Sequence, residues 1–303
     1  MAVDDVSFHI AAGEVLGLVG ESGAGKSLTG AAIIGLLPPP ARVAGGRIVF
    51  AGRRIDDLGP EAMRAIRGTG IGAIFQDPLT SLNPVYTVGR QLVETIVTHT
   101  GLAPRPARGR AIALLAEVGI PSPERRIDQY PHEFSGGMRQ RAVIALAICG
   151  NPRLIIADEP TTALDVSVQA QILNLLRRLS EEHGTAVLLV THDMGVIAET
   201  TDRVLVLYAG RLAEIGPTRD VIQAPRHPYT AGLMASIPVI GERREELVQI
   251  EGAMPRLGEV PAGCAFHPRC GRAFDPCAAR RPEPASSGGT RVACWLYPAG
   301  DAA

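Results

Sequence analysis

Lysine is all but missing from this 303-residue chain: of its thirty lysine and arginine residues, only Lys26 is lysine. Other shortages set the outer bounds. No apolar run reaches about 18 residues, so no segment qualifies as a membrane-spanning helix. Asp4 and Asp5 stand where an export signal would carry basic residues. Net charge is −1 with no arginine-rich block, which argues against a nucleic-acid-binding face. The five cysteines are Cys149, in an apolar stretch, and Cys264, Cys270, Cys277 and Cys294, gathered near the C-terminus. Without an export signal the chain is expected in a reducing compartment, where structural disulfides are rare. There is no tandem repeat. The 46% hydrophobic content suffices for one large domain, or one domain with appendages.

The solitary lysine lies in "GESGAGKS", residues 20–27, between the apolar run Val15–Val19 and a helical pattern over 28–37. Strand, glycine loop and helix in that order form the context of a phosphate-binding loop. Its glycines let successive backbone N–H groups converge on phosphate oxygens at the positive end of the following helix. A slim ammonium at Lys26 can reach the β- and γ-phosphates inside such a loop, whereas a broad guanidinium fork cannot. Ser27 supplies a hydroxyl for Mg2+. The expected ATP-binding set is Gly20, Glu21, Ser22, Gly23, Ala24, Gly25, Lys26, Ser27 and Leu28.

Strand-like runs at 15–19, 47–50, 72–75, 154–157, 186–191 and 204–208 alternate with helical patterns, several of them uniformly apolar as strands covered on both faces are. The expectation is an α/β fold of the P-loop NTPase kind. From 77 to 134 the strand signal gives way to helical stretches at 88–98 and 107–118, which reads as a helical insertion. After 238 proline, glycine and cysteine dominate, which reads as an irregular appendage. The run 154–157 ends in Asp158 and Glu159, at the carboxyl end of a strand where α/β proteins bind ligands. Asp158 is suited to organise Mg2+ and Glu159 to polarise the water that attacks the γ-phosphate. Gln76, in "IFQDPLTSLNP", could present its amide to Mg2+ and that water; His192, in "LLVTHD", could contact the γ-phosphate. Taken singly, a loop glutamine reads as surface and a strand-end histidine as structural, so the ensemble is what singles them out. "SGGMRQR", beginning Ser135, Gly136, Gly137 and Met138, opens a helix at 138–147 and offers a second anion site.

These motifs, in this order, closely resemble the nucleotide-binding subunits of ABC transporters over residues 1–235. The resemblance implies an ABC ATPase core with a helical subdomain at 77–134 and an irregular, cysteine-containing extension at 236–303. It further implies that two such domains dock head to tail, so that Ser135, Gly136, Gly137 and Met138 bind ATP held by a partner, with Asp165 of "TTALD" linking the two sites. "QDPLTSLNPV", "FSGGM", "HPYTAGLMASIP" at 227–238 and "GCAFHPRC" at 263–270 resemble the oligopeptide/dipeptide permease branch, which also includes nickel and other solute importers. The implied protein hydrolyses ATP to power solute uptake from the cytoplasmic face of the membrane, as a peripheral subunit. Its implied partners are a second ATP-binding subunit in a heterodimer, two transmembrane permease subunits and an extracytoplasmic solute-binding protein. Members of the branch carry a further strand and an adenine-stacking aromatic ahead of "AVDDVSF", so the start codon is expected upstream of Met1. A soluble ABC ATPase acting on DNA fits less well, because Ser27 and Ser135 are too close for a long intervening coiled coil.

The four C-terminal cysteines are spaced C-x5-C-x6-C-x16-C without a C-x2-C knuckle. Common zinc templates therefore fit poorly, while four thiolates on irregular loops can ligate a [4Fe–4S] cluster. The branch resemblance implies such a cluster at Cys264, Cys270, Cys277 and Cys294. Structural zinc, with His267 as a further candidate ligand, and free thiols remain open readings.

Overall fold

In the computed structural model, which describes residues 1–162, 164–237 and 249–297, the apolar runs become strands. They are β1 (Val15–Val19), β2 (Val49–Phe50), β3 (Arg53–Arg54), β4 (Ile71–Ile74), β5 (Leu154–Asp158), β6 (Ala186–Val190), β7 (Arg203–Tyr208), β8 (Arg211–Pro217), β9 (Ala285–Ser287) and β10 (Thr290–Val292). β2 and β3 form a small separate hairpin. The other eight make one sheet in the order β4-β5-β6-β1-β7-β8-β10-β9. From β4 to β7 every pairing is parallel; from β7 outward every pairing is antiparallel.

Uniform apolarity along the central strands has the expected cause. Val15, Ile155, Ala157, Val187 and Leu189 point into one core, while Leu16, Leu18, Leu154, Ile156 and Leu188 point into another. Alternate residues thus feed opposite faces, and both faces are covered. The first core is shared with Leu92 and Leu114 of the 77–134 insertion, and with Ile144 and Leu176 of helices Gly136–Ile148 and Val166–His183. Each such side chain, fully buried, contributes roughly 1.5–3 kcal/mol.

Helices Val88–Thr100 and Pro104–Glu117 are the two long helices of the insertion. The first is capped by Thr87, whose hydroxyl accepts from Arg90 N at 3.2 Å. The second starts three residues ahead of the expected 107, because proline suits the first turn of a helix, where an N–H has no partner to lose. The C-terminal region is mostly turns with short helical pieces at His267–Arg269 and Asp275–Ala279. It also adds β9 and β10 to the main sheet, pairing Arg291 with Ile215 and Val292 with Glu214 of β8. Those two strands were not anticipated, although the intervening Gly288-Gly289 is a hairpin signal. Ala163 of "TTALD" and Pro238 of "HPYTAGLMASIP" lie outside the described residues.

Candidate active site

The chain leaves β1 at Val19 and turns directly into the glycine loop. Gly20 has φ 153° and a Cβ there would strike Leu207 O, so the loop can pass β7 only with glycine at this position. Gly25, at φ 101°, is the N-cap of helix Lys26–Ile33. Between them Ala24 N donates to Glu21 O at 3.1 Å, while Ser22 and Gly23 remain exposed on the outer rim and Leu28 is half-buried. The Lys26 side chain curls back into the loop, its Nζ donating to Gly20 O at 2.7 Å and Glu21 O at 3.1 Å. Burial lowers its pKa, although the charges of Glu159, Asp158 and Glu21 oppose the shift. Ser27 Oγ donates to Asp158 Oδ1 at 3.2 Å.

Asp158 ends β5 beside Val190 of β6. Burial pushes its carboxyl upward and the neighbouring Glu159 charge adds to that, against the Ser27 hydrogen bond and the Lys26 charge. A bound Mg2+ would relieve this conflict, and a carboxylate with an adjacent hydroxyl is the hard-oxygen pair that Mg2+ prefers. Glu159 follows with φ 47°, a left-handed conformation that costs a non-glycine residue about 1–3 kcal/mol. It is held there by Glu159 N donating to Val190 O at 2.9 Å.

Three side chains converge on the Glu159 carboxylate. Gln76 Nε2 donates at 3.1 Å, Thr162 Oγ1 donates at 3.0 Å, and His192 Nδ1 lies 3.1 Å away. Burial alone would raise the carboxyl, but the hydrogen bonds from His192 and Thr162, with the His192 and Lys26 charges, bring it below its ordinary value. Glu159 is therefore deprotonated and oriented at neutral pH, as a general base must be. Gln76 and His192, far apart in sequence, each lie two residues beyond their strand, β4 and β6, and meet over the end of β5. Gln76 directs its amide N–H to Glu159 rather than to the Ser27–Asp158 pair expected to hold Mg2+. Thr162 was not anticipated, although its place three residues after Glu159 in the same turn could have suggested it.

Ser135 caps helix Gly136–Ile148, its hydroxyl accepting from Met138 N at 3.3 Å, and Ser135 and Gly136 are exposed. That helix packs on β4, which lies three strand spacings, roughly 14 Å, from β1. Asp165 caps the next helix, Val166–His183, by accepting from Val168 N at 2.9 Å and from the Ser167 hydroxyl at 2.8 Å, which lower its pKa. The structure thus assembles the phosphate loop, Asp158, Glu159, Gln76 and His192 into one site, and places Ser135, Gly136, Gly137, Met138 and Asp165 at the N-termini of two helices.

The four C-terminal cysteines carry no disulfide and line one pocket together with Phe266 and Trp295. Burial raises the Cys264 and Cys294 thiols, Cys294 to about 11, and the neighbouring cysteines push both the same way. Among the described residues no group of three or more His, Cys, Asp or Glu side chains is gathered closely enough to hold a single metal ion.

Residues 3–162 match the family model described as ABC transporter, and residues 213–277 match that described as oligopeptide/dipeptide transporter, C-terminal region. The chain is 48% identical to the dipeptide transport ATP-binding protein DppD of Bacillus subtilis, over 97% of this chain and 89% of that one. It is 50% identical to the oligopeptide transport ATP-binding protein OppD of the same organism, over 88% and 75%. Among solved structures, an ATP-binding cassette dimer in a post-hydrolysis state with ADP and Pi superposes with a TM-score of 0.64 at 31% identity, covering 72% of this chain and 91% of that one.

Proposed function

Because the chain belongs to the ABC transporter family, we propose that it is the ATP-hydrolysing subunit of an importer that takes up oligopeptides or dipeptides across the cytoplasmic membrane. One observation carries this reading: a single chain joins an assembled phosphate loop, acid pair, Gln76 and His192 to the C-terminal region of the peptide branch. Residues 1–235 form the catalytic unit, with 77–134 as its helical subdomain and 236–303 as the extension.

The backbone of residues 20–27 and the Lys26 ammonium bind the phosphates. Ser27 and Asp158 would hold Mg2+, which when bound neutralises phosphate charge, and Gln76 would complete its coordination after exchanging its bond to Glu159. Glu159 accepts the proton of the attacking water, steadied by Thr162 and His192. Ser135 and Gly136, exposed, with Gly137 and Met138 behind them, close over the ATP of a partner subunit, and Asp165 stands between the two sites. This arrangement calls for a dimer of ATP-binding subunits; the peptide-branch likeness is what supports a heterodimer, beneath two permease subunits supplied by an extracytoplasmic solute-binding protein. No helix among the described residues is long and apolar enough to cross a membrane, so the chain would attach peripherally. Exposed Phe75 and Val85, at and near the start of the helical subdomain, suit contact with the permease subunits. Deletion of the gene should abolish uptake of labelled di- and oligopeptides, with recovery on re-expression. Loss of nickel uptake with peptide uptake intact would overturn the peptide assignment.

We infer that the four cysteines hold a [4Fe–4S] cluster: all four line one pocket, and their spacing lacks the C-x2-C knuckle of common zinc sites. Metal ligation would also keep Cys264 and Cys294 deprotonated in surroundings that otherwise favour the thiol. Anaerobically purified full-length protein is expected to be brown, with about four iron atoms and four acid-labile sulfides per chain, and Cys270→Ser to lose both. Zinc without sulfide, or metal-free thiols, would defeat the assignment.

A further inference from the structure

Glu21 sets the phosphate loop a problem, because it brings a carboxylate to the rim of a site built to receive a triphosphate. The C-terminal region answers it. Arg269 forms a two-pronged ion pair with Glu21, Nη1 to Oε2 at 2.6 Å and Nη2 to Oε1 at 3.1 Å. The guanidinium is fixed from every side, donating to Glu251 O at 2.7 Å, Ile250 O at 3.1 Å and the Tyr208 hydroxyl at 3.4 Å. Its side chain is 6% exposed against 30% for Glu21, so the pair is poorly screened by water. A second contact reaches the same residue independently. Tyr229, fully buried and packed edge-on against Tyr208, accepts from Glu21 N at 2.9 Å through its hydroxyl. Tyr229 and Arg269 belong to "HPYTAGLMASIP" and "GCAFHPRC", two segments that a bare ATPase core has no evident use for.

We infer that Arg269 is a positioning residue of the ATP site: by pairing with Glu21 it neutralises and anchors the phosphate loop, so that the C-terminal region sets ATP affinity. Bidentate arginine–carboxylate pairs combine charge with fixed geometry, which a lysine at 269 could not reproduce. With Arg269 removed, the Glu21 charge faces the incoming phosphates uncompensated. Because this repulsion acts alike on bound ATP and on the transition state, it falls on KM rather than kcat. The inference rests on residues 20–27 being the ATP-phosphate loop.

The test uses the full-length chain, with a fluorescent ATP analogue to measure affinity and steady-state turnover of the assembled complex to separate KM from kcat. Arg269→Ala is expected to weaken nucleotide binding about tenfold, equivalent to 1.4 kcal/mol, with kcat within about twofold. Arg269→Lys should recover part of that loss. In a Glu21→Gln background, Arg269→Ala should change affinity less than about twofold, since the charge through which Arg269 acts is gone. Undiminished affinity in Arg269→Ala, or an equal loss in both backgrounds, would overturn the inference. Should Arg269→Ala fail to fold, Arg269→Lys decides alone: about threefold weaker binding supports the pair and unchanged binding refutes it. Intact nucleotide binding after Lys26→Arg would instead count against the loop assignment itself.

Discussion

Glu159→Gln is expected to lower ATP turnover by about 10^2–10^4-fold while nucleotide binding persists. Glutamine has the same shape and can keep the local contacts. Its oxygen can take the place of Oε2, which accepts from Gln76 and Thr162, while its amide N–H turns toward His192 Nδ1. What it cannot do is accept the proton of the attacking water. The variant should therefore bind ATP, close against its partner and remain closed, so that phosphate release drops while an ATP-dependent dimer accumulates on size exclusion. Turnover at the wild-type rate in the purified complex would remove Glu159 from the role of base.

Lys26→Arg keeps the charge and changes only its shape. Lys26 is buried, and its ammonium is lodged against two carbonyl oxygens of its own loop at 2.7 and 3.1 Å. A planar guanidinium with five donors is wider than that space and would be pushed into the region the phosphates need. Losing one well-placed donor to a developing negative charge typically costs about 10^2–10^3 in rate, and a loss of that size is expected here in phosphate release, with the circular dichroism spectrum unchanged. Normal activity would mean that the only lysine among thirty basic residues is an accident of composition.

The parts of the site legible in the sequence were those whose chemistry is carried by neighbouring residues. "GESGAGKS" and "LIIADEP" each state a strand end, a turn and a reactive group within a few positions, and both lie where expected. Gln76 and His192 stood out only as members of the ensemble and not singly, since it takes the parallel order β4-β5-β6 to bring them to Glu159. Helix Val166–His183 went unremarked although Ile172, Leu175, Leu176 and Leu179 repeat at helical spacing. β9 and β10 are three residues each, too short for a periodic signal, and exist because β8 offers them an open edge. Arg269 was visible only as part of the turn bearing Cys270. Its partner Glu21 lies at the other end of the chain, and no local pattern announces a pairing of that range.

The joining of β10 to β8 also fixes an order of events during synthesis. β8 can pair with β7 as soon as both leave the ribosome, but its outer edge then waits for residues 290–292. At about 5–20 residues per second, that wait lasts roughly 4–15 s, during which an unpaired strand edge is open to other nascent chains. A chain broken off before 285 would keep that edge permanently. Grafting the last segment of another subunit onto this core would succeed only where the new strand meets Glu214 and Ile215 in the same register, so the ATPase and its C-terminal region are bound to evolve as one piece.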